Sequence, residues 1–162
     1  MYSLADLQTT DEVLARYSGG PDTGIFTDGS CDPNPGPGGW GFVWVKKGEI
    51  IQEHSGKAPD TTNNRMELQA LIEAYKLLPE NEPHTVYSDS QLAVNTINQW
   101  ASGWEKRGWK RKTGPIKNLE LVQELWALSK QKPEIELKWI KAHDGSLWNE
   151  YADALASSYM RP

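Results

Sequence analysis

The apolar residues at the start of the chain are spaced for one short amphipathic helix. The helix is predicted to follow Ser3 and to end at Gly19–Gly20–Pro21, because glycine and proline terminate helices. Its apolar positions are Leu4, Leu7, Val13 and Leu14. Residues 1–22 are therefore interpreted as an N-terminal extension that packs on the rest of the chain or frays, and residues 23–162 as the main domain.

From Gly24 onwards the apolar residues follow the pattern of strands, and then of alternating helices and strands. Three strands are predicted at 25–27, 40–45 and 49–55, with a turn at Lys47–Gly48. The further predicted elements are a helix that begins near the N-cap residues 61–64 and stops before Pro79, a strand at 85–88, helices at 91–99 and 116–128, a strand at 135–142 and a helix at 147–160. This order predicts an α/β protein with a mixed sheet and helices packed on its faces.

The composition narrows the class of protein. A chain of 162 residues, 38% of them hydrophobic, can bury a core as one domain without disulfides or a structural metal. The single cysteine, Cys31, cannot form an internal disulfide, which favours a reducing compartment. Residues 1–10 lack the basic start and apolar segment of a secretory signal, and the apolar run Phe42–Val45 is far shorter than the ~20 residues of a membrane helix. We therefore expect a cytoplasmic protein that does not span a membrane.

The charge is unevenly distributed along the chain. The net charge is −5, yet six basic residues and one acidic residue lie between Trp104 and Lys117. An acidic body with one basic patch suits an enzyme that binds phosphates and holds a metal with carboxylates. A solvated helix face explains the basic run equally well when the run is considered alone.

Four acidic residues stand where an α/β sheet brings functional groups together. Asp28 and Asp89 each follow a predicted strand, Glu67 lies in the first turn of a helix, and Asp153 lies inside the last helix. Strand ends and helix starts meet at the carboxyl edge of such a sheet, where ligands often bind. Crowded carboxylates repel one another, and a pair of Mg²⁺ ions, which prefer oxygen ligands, would relieve that repulsion.

Each of these carboxylates also has an ordinary structural explanation. Asp28 fits a turn, Glu67 a capping box with Asn64, Asp89 a helix cap, and Asp153 an exposed helix charge. For each residue taken singly the structural explanation is favoured. The surrounding segments change that balance.

Six segments of the chain stand in the same order as in bacterial ribonuclease HI. They are Thr27–Ser30, Asn34–Gly39, Thr61–Leu68, Ser88–Gln91, Trp104–Lys112, and Asn149–Glu150 before Asp153. From Gly24 to Ser157 the chain therefore resembles the ribonuclease H type 1 family. The resemblance implies the ribonuclease H-like fold, a five-stranded mixed sheet with its first three strands antiparallel and helices on both faces.

The resemblance also implies a reaction. Asp28, Glu67, Asp89 and Asp153 match the family's metal-binding carboxylates, which hold two Mg²⁺ ions with substrate, or Mn²⁺ as a substitute. The expected activity is endonucleolytic hydrolysis of the RNA strand of RNA–DNA hybrids, leaving 5′-phosphate and 3′-hydroxyl ends. His143, which alone would be interpreted as an exposed loop residue, matches the family's mobile histidine, a proton shuttle or product-release group. The protein is expected to act as a monomer.

Nucleic-acid contacts are implied in the same way. Residues 100–117 match a basic protrusion that grips the DNA strand, Trp100 and Trp104 its deoxyribose-contacting aromatics, and Thr62 and Asn118 a pocket for a DNA phosphate. The expected contacts to the minor groove and the RNA 2′-hydroxyls are Asn34, Asn63, Asn64 and Gln91, with Cys31 lining the same groove. The cations of the protrusion are Lys106, Arg107, Lys110, Arg111 and Lys112. Core packing is the competing explanation for each tryptophan.

Two rival functions remain at this point. An integrase, transposase or 3′-5′ exonuclease has a similar fold and metal site, and a hybrid-binding module without activity would lack a carboxylate. The basic run and the segment Thr61–Leu68 favour ribonuclease H over the first rival, and the second is disfavoured because none of the four carboxylates is missing. None of the matched segments lies in residues 1–22, so the sequence predicts that the chemistry does not depend on them.

Overall fold

A five-stranded mixed sheet forms the centre of the molecule. The computed structural model describes residues 7–161, so the predicted helix start at Ser3 and the apolar position Leu4 lie outside the described residues. The strands are β1 Gly24–Cys31, β2 Gly36–Lys46, β3 Glu49–Thr61, β4 His84–Ser88 and β5 Ile135–Trp139. They lie in the order β3-β2-β1-β4-β5, with β2 antiparallel to both β1 and β3, and β4 parallel to both β1 and β5. The predicted sheet is therefore confirmed.

The helices surround this sheet. They are α1 Thr10–Arg16, α2 Asn63–Leu77, α3 Gln91–Asn95, α4 Ala101–Lys106, α5 Leu119–Gln131 and α6 Leu147–Ala156, with a π-helical turn at Thr96–Trp100 and a 3₁₀ turn at Ser158–Met160. Helical structure thus runs on from α3 through the π-helical turn to Lys106, beyond the predicted end at residue 99.

Several predicted boundaries were wrong for local reasons. The N-terminal helix begins at Thr10, because Thr9 and Glu12 form a reciprocal capping box there. The helix predicted from residue 116 begins at Leu119, because Asn118 has a left-handed backbone (φ 57°). Strand β3 continues to Thr61 rather than residue 55, since this part still pairs with β2. Strand β5 ends at Trp139 and α6 at Ala156, both earlier than predicted.

Two apolar clusters lie on opposite faces of the sheet, because side chains alternate along each strand. Ile25 and Phe42 face the cluster that contains α2 and α5, whereas Phe26 and Val43 face the cluster that contains α1 and α6. Burying each of these side chains contributes about 1.5–3 kcal/mol. Helices therefore pack on both faces, as predicted.

Glycines in β2 set how closely α6 approaches the sheet. A β-carbon at Gly39 would lie 2.3 Å from the carbonyl oxygen of Ala156, and one at Gly41 would lie 2.5 Å from the β-carbon of Leu155. These distances leave no room for any side chain, so the contact brings α6, and with it Asp153, against the sheet. Among residues 7–161, no helix combines the length and apolar character needed to cross a bilayer.

Candidate active site

Three carboxylates meet at the carboxyl edge of the sheet. Asp28 lies on the central strand β1, Glu67 just after the first turn of α2 rather than within it as predicted, and Asp89 directly after β4, which is parallel to β1. One oxygen of each carboxylate lies within 4.8 Å of the corresponding oxygen of the other two. The tertiary structure thus unites residues that are up to 61 positions apart in the chain.

Burial and mutual repulsion make the negative charge of this cluster costly. Burial raises the pKa of Asp28 well above its usual range, and the charges of Glu67, Asp89 and Asp153 raise it further. The pKa of Glu67 is also raised well above its usual range, first by burial and then by the charge of Asp89. Burial likewise raises the pKa of Asp89, although a hydrogen bond with Asp28 opposes the shift.

A divalent cation fits this donor set. Glu67 Oε2 is buried and has no hydrogen-bond partner among residues 7–161. A buried carboxylate oxygen without a partner is costly, and a bound cation would neutralise the cluster and use that oxygen. The donors are all oxygens, which suits Mg²⁺ or Mn²⁺ better than softer metals.

The fourth predicted carboxylate, Asp153, lies beside the cluster of three. It lines the same cleft as Asp28, Glu67 and Asp89. Its charge contributes to the raised pKa values of Asp28 and Asp89, for which burial is the larger cause. The four predicted carboxylates are therefore brought to one cleft, three of them within direct reach of one another.

His143 lies at the rim of this cleft. It has a left-handed backbone (φ 53°), its side chain is 60% exposed, and it lines the cleft with Asp153 and Ala142. His143 Nδ1 lies 3.1 Å from Oε1 of Glu150, a buried residue of α6. Sequence reasoning gave Glu150 no separate role, although it belongs to a matched segment, Asn149–Glu150.

Some of the residues predicted to contact the minor groove line the cleft as well. Asn63 and Asn64 lie at the start of α2, and the Asn63 N–H donates to Oδ1 of Asn34 (3.2 Å). Cys31 also lines the cleft, but it is buried, with its Sγ 3.3 Å from the carbonyl oxygen of Pro33, and burial raises the pKa of its thiol. Gln91 is exposed at the start of α3 and is not among the residues that line the cleft.

Arg65 joins the two residues predicted to hold a phosphate. Its backbone N–H donates to Thr62 Oγ1 (3.2 Å), and its guanidinium donates to Asn118 Oδ1 (3.3 Å). The same guanidinium forms an ion pair with Glu120 (2.6 Å) in the first turn of α5. Arg65 was not among the residues predicted for this pocket, although it lies inside the matched segment Thr61–Leu68.

A continuous groove connects the carboxylates with the basic protrusion. Asn64 and Ser90 line both the carboxylate cleft and the adjoining cavity. Trp100 and Trp104, whose ring centroids lie 6.0 Å apart, line both that cavity and the outer basic pocket. Other residues of this outer part are Arg107, Lys110, Arg111 and Lys112, and the cavity also contains Lys117, which was absent from the predicted contacts. Exposed Lys106 lies on α4 but does not line either pocket.

Arg111 differs from the other cations of the protrusion. Its guanidinium donates to the carbonyl oxygens of Gly114 (3.1 Å) and Pro115 (2.9 Å) and lies 5.9 Å from the centre of the Trp104 ring. These contacts brace the protrusion from within. Trp104 and Trp109 are both partly buried and pack against the core cluster, as the core-packing explanation expected for each of them.

Comparison with known proteins decides the family. The RNase H family model matches residues 21–161, which is most of the chain. The chain belongs to the ribonuclease H family. It is therefore a nuclease of the hydrolase class, and the predicted relation to bacterial type 1 ribonucleases H is confirmed.

Relatives and solved structures of the ribonuclease H family match most of this chain. The chain is 47% identical over 139 residues to ribonuclease H of Agrobacterium fabrum, covering 85% of this chain and 94% of the relative. It is 43% identical over 133 residues to ribonuclease H of Methylorubrum extorquens, covering 82% of this chain but only 58% of that longer relative. The crystal structure of LC9-RNase H1, a type 1 RNase H with the type 2 active-site motif, superposes with a TM-score of 0.71 at 34% identity over 87% of this chain and 74% of the other. LC11-RNase H1 in complex with an RNA/DNA hybrid superposes with a TM-score of 0.60 at 25% identity over 84% of this chain and 97% of the other.

Proposed function

We propose that the chain is an endonuclease that hydrolyses the RNA strand of RNA–DNA hybrids by two-metal-ion catalysis, leaving 5′-phosphate and 3′-hydroxyl ends. The observation that carries this proposal is the cluster of Asp28, Glu67 and Asp89 at one end of a groove whose other end is basic and aromatic. Such a groove offers a metal site for one strand and phosphate contacts for the other. The hybrid bound by LC11-RNase H1 supports the choice of substrate.

Asp28, Glu67, Asp89 and Asp153 would hold the metals, with Mg²⁺ as the proposed ion and Mn²⁺ as a substitute. Two such ions, when bound with substrate, supply an activated water on one side of the scissile phosphorus and stabilise the charge of the leaving oxygen on the other. The four carboxylates would fix the positions of the metal ions before the substrate binds. The burial of Asp28 and Glu67 strengthens the electrostatic interactions within the cluster.

His143 is the proposed group for proton transfer or product release. Its imidazole lies at the rim of the cleft, where Glu150 fixes the position of Nδ1 and leaves the other ring nitrogen available to the cleft. A carboxylate beside one ring nitrogen orients the ring. Such a group can deliver a proton to the leaving oxygen of the RNA strand.

The groove would hold the two strands by different chemistry. Asn34, Asn63, Asn64 and Gln91 are the proposed contacts to the minor groove and to RNA 2′-hydroxyls, since an amide both donates and accepts hydrogen bonds. Cys31 would line this part of the groove. The DNA phosphate pocket would consist of Thr62 and Asn118, with Arg65 between them as the cation.

The protrusion, residues 100–117, would grip the DNA strand further along the groove. Trp100 and Trp104 offer aromatic faces to the deoxyribose units, and the neighbouring cations neutralise phosphates. The proposed phosphate contacts are Lys106, Arg107, Lys110, Arg111 and Lys112. Action as a monomer in the cytoplasm stays a prediction from the sequence.

Cleavage of defined duplexes tests this function. The full chain is incubated with an end-labelled RNA–DNA hybrid, duplex DNA, duplex RNA or single-stranded RNA, each with Mg²⁺, Mn²⁺ or EDTA. We expect cleavage of the RNA strand of the hybrid alone, and only with a divalent metal. The products should be substrates for a ligase that requires 5′-phosphate and 3′-hydroxyl ends. Equal cleavage of duplex DNA, or cleavage in EDTA, would contradict the proposal.

A further inference from the structure

We propose that residues 7–20, here called the N-terminal clamp, position the histidine loop, residues 142–146, for the reaction. The clamp lies outside residues 21–161, which match the family model. Its contacts with the loop argue against the expectation from the sequence that the chemistry does not depend on residues 1–22. The proposal rests on the proposed function, because it assigns the clamp an effect on the step in which His143 takes part. Gly19 and Gly20 are its positioning residues.

The clamp is anchored firmly on α6. Val13 of α1 is fully buried, in a cluster with Trp148 and Tyr151 of α6. The Tyr151 side chain also interacts with Thr10 of α1 and with Glu53, and burial together with the Glu53 contact raises its pKa to about 12. A helix as short as α1 has little stability by itself, so these tertiary contacts hold it in place.

Backbone contacts then link the clamp to the end of the histidine loop. The Leu147 N–H donates to the carbonyl oxygen of Gly19 (2.9 Å), and Gly19 pairs with Ser146 in an isolated parallel bridge. A β-carbon at Gly19 would lie 2.9 Å from the carbonyl oxygen of Gly145. The clamp therefore contacts the last two residues of the loop. At position 19 any residue larger than glycine would displace the loop backbone.

Gly20 extends this contact to a side chain that organises α6. A β-carbon at Gly20 would lie 2.7 Å from Ser146 Oγ and 3.0 Å from Ser146 Cα. Ser146 Oγ accepts the N–H of Asn149 and so caps the helix that carries Glu150 and Asp153. A displacement of Ser146 would thus change the position of His143, three residues away in the same loop.

The clamp also forms a wall beside the histidine. A cavity is lined by Leu7, Gln8 and Tyr17 from the clamp, and on its other side by residues of the loop and α6. These are His143, Glu150, Asp153, Ala154 and Ser157. His143 contacts Glu150 while Gly19 holds the other end of the loop, so the clamp restricts the loop at the end that leads into α6. A group held in its reactive geometry before substrate binds loses less entropy in the reaction.

A matched pair of glycine variants tests the clamp. Gly20 and Gly48 both have left-handed backbones (φ 83° and 78°), but a β-carbon at Gly48 would meet nothing within 4 Å. Gly20→Ala and Gly48→Ala therefore introduce similar backbone strain, and only Gly20→Ala presses on Ser146. The first measurement is hydrogen exchange of the peptide that contains residues 142–147, which does not require activity. We expect faster exchange in this peptide in Gly20→Ala than in Gly48→Ala or the unchanged chain. Equal exchange in all three proteins would overturn the proposal.

Kinetics on the RNA–DNA hybrid form the second measurement. We expect Gly20→Ala to lower kcat on the order of tenfold with KM unchanged, because a misplaced catalytic group can cost up to about 100-fold. In the His143→Ala background, Gly20→Ala should change kcat by less than about twofold, since two changes that act through one group are not additive. A full effect of Gly20→Ala in that background, or an equal loss in Gly48→Ala, would overturn the proposal. If the unchanged chain does not cleave hybrids, the proposed function fails, whereas the exchange measurement still decides whether the clamp holds the loop.

Discussion

The backbone of Gly29 lies directly against the backbone of Glu67. A β-carbon at position 29 would lie 2.3 Å from the Glu67 nitrogen and 2.4 Å from the carbonyl carbon of Met66. Backbone atoms cannot rotate away as a flexible side chain can, so any larger residue would push α2 from β1. Gly29 therefore sets the distance between Glu67 and Asp28, the residue that precedes Gly29 in the chain.

Gly29→Ala should accordingly weaken the metal site rather than the sheet. Moving α2 by a few tenths of an ångström or more separates the carboxylates, and we expect kcat on hybrids to fall by up to about 10²-fold. Gly29→Ala should also need a higher Mg²⁺ concentration than the unchanged chain for the same rise in Tm. A ligand that binds only the folded state raises Tm, and weaker binding raises it less. Gly48→Ala, whose β-carbon has open space, is the control. An unchanged Mg²⁺ dependence in Gly29→Ala would contradict this account.

The pKa shifts of the carboxylates predict how stability depends on pH without metal. The pKa values of Asp28 and Glu67 are raised by burial and then by neighbouring charges, so the folded protein binds protons more tightly than the unfolded chain. From the ordinary carboxyl pKa of about 4 up to the raised values, the free energy of unfolding contributed by these groups therefore falls as pH rises. Above the raised values the loss is complete.

Asp28→Asn removes one charge from this cluster. In EDTA the variant should be more stable than the unchanged chain at neutral pH, and this advantage should shrink as the pH falls to about 4. Urea unfolding at a series of pH values measures the difference. Hybrid cleavage should be abolished in Asp28→Asn and likewise in Asp89→Asn; near-normal turnover by either variant would remove the metal-site assignment.

His143→Ala should slow hybrid cleavage without ending it. A proton shuttle contributes about 10²–10⁴-fold, and water replaces it in part. The loss should appear in kcat rather than KM. Cleavage rates measured over a range of hybrid concentrations would separate the two effects. Rates identical to those of the unchanged chain would make His143 a bystander.

The protrusion should show two kinds of cation. Replacing Arg107, Lys110 and Lys112 with Gln should raise KM far more than it lowers kcat, because contacts remote from the metals bind ground and transition states alike. The slope of log affinity against log salt should become shallower by roughly 0.7–0.9 for each phosphate that is no longer neutralised. Affinity measured with Ca²⁺ in place of Mg²⁺ checks this, and an unchanged slope and KM would mean that the surface is merely solvated.

Arg111→Gln is the matched comparison within the same segment. Its guanidinium is engaged by the carbonyl oxygens of Gly114 and Pro115, so its loss should loosen the protrusion. We expect faster hydrogen exchange in residues 104–115 from Arg111→Gln, and not from Lys112→Gln, whose side chain is exposed. Equal exchange in the two variants would show that Arg111 does not brace the segment.

Lys132 should be important for stability and unimportant for chemistry. It is buried, and its Nζ donates to the carbonyl oxygens of Tyr75 (2.5 Å) and Leu78 (2.6 Å) at the end of α2. Lys132→Met leaves these carbonyls without their donor, which costs about 1–3 kcal/mol. Lys138→Met, which breaks only an exposed ion pair with Glu136, should cost less than about 1 kcal/mol. Urea unfolding of both variants checks the difference, and equal losses would contradict it.

The sequence by itself determined which faces of each element are buried and which segments carry chemistry. Apolar periodicity predicted all five strands, because alternation along a strand reflects burial against a sheet whatever the partner is. Asp28 and Asp89 were predictable as neighbours, since each follows a predicted strand and the carboxyl ends of parallel strands share one edge, although β1 in fact continues through Asp28 to Cys31. Element ends were predicted less well, as at Asn118, because they depend on local backbone conformations that many residue types can adopt.

Only the tertiary structure decided which distant residues meet. Nothing in the spacing of Arg65 and Asn118, or of Lys132 and Tyr75, indicates that their atoms touch. The same holds for Gly19 and Ser146, which join the N-terminal clamp to the histidine loop. Periodicity records that a residue is buried or polar, whereas the choice of its partner depends on how helices and loops pack against the completed sheet, and that packing is a property of the whole chain.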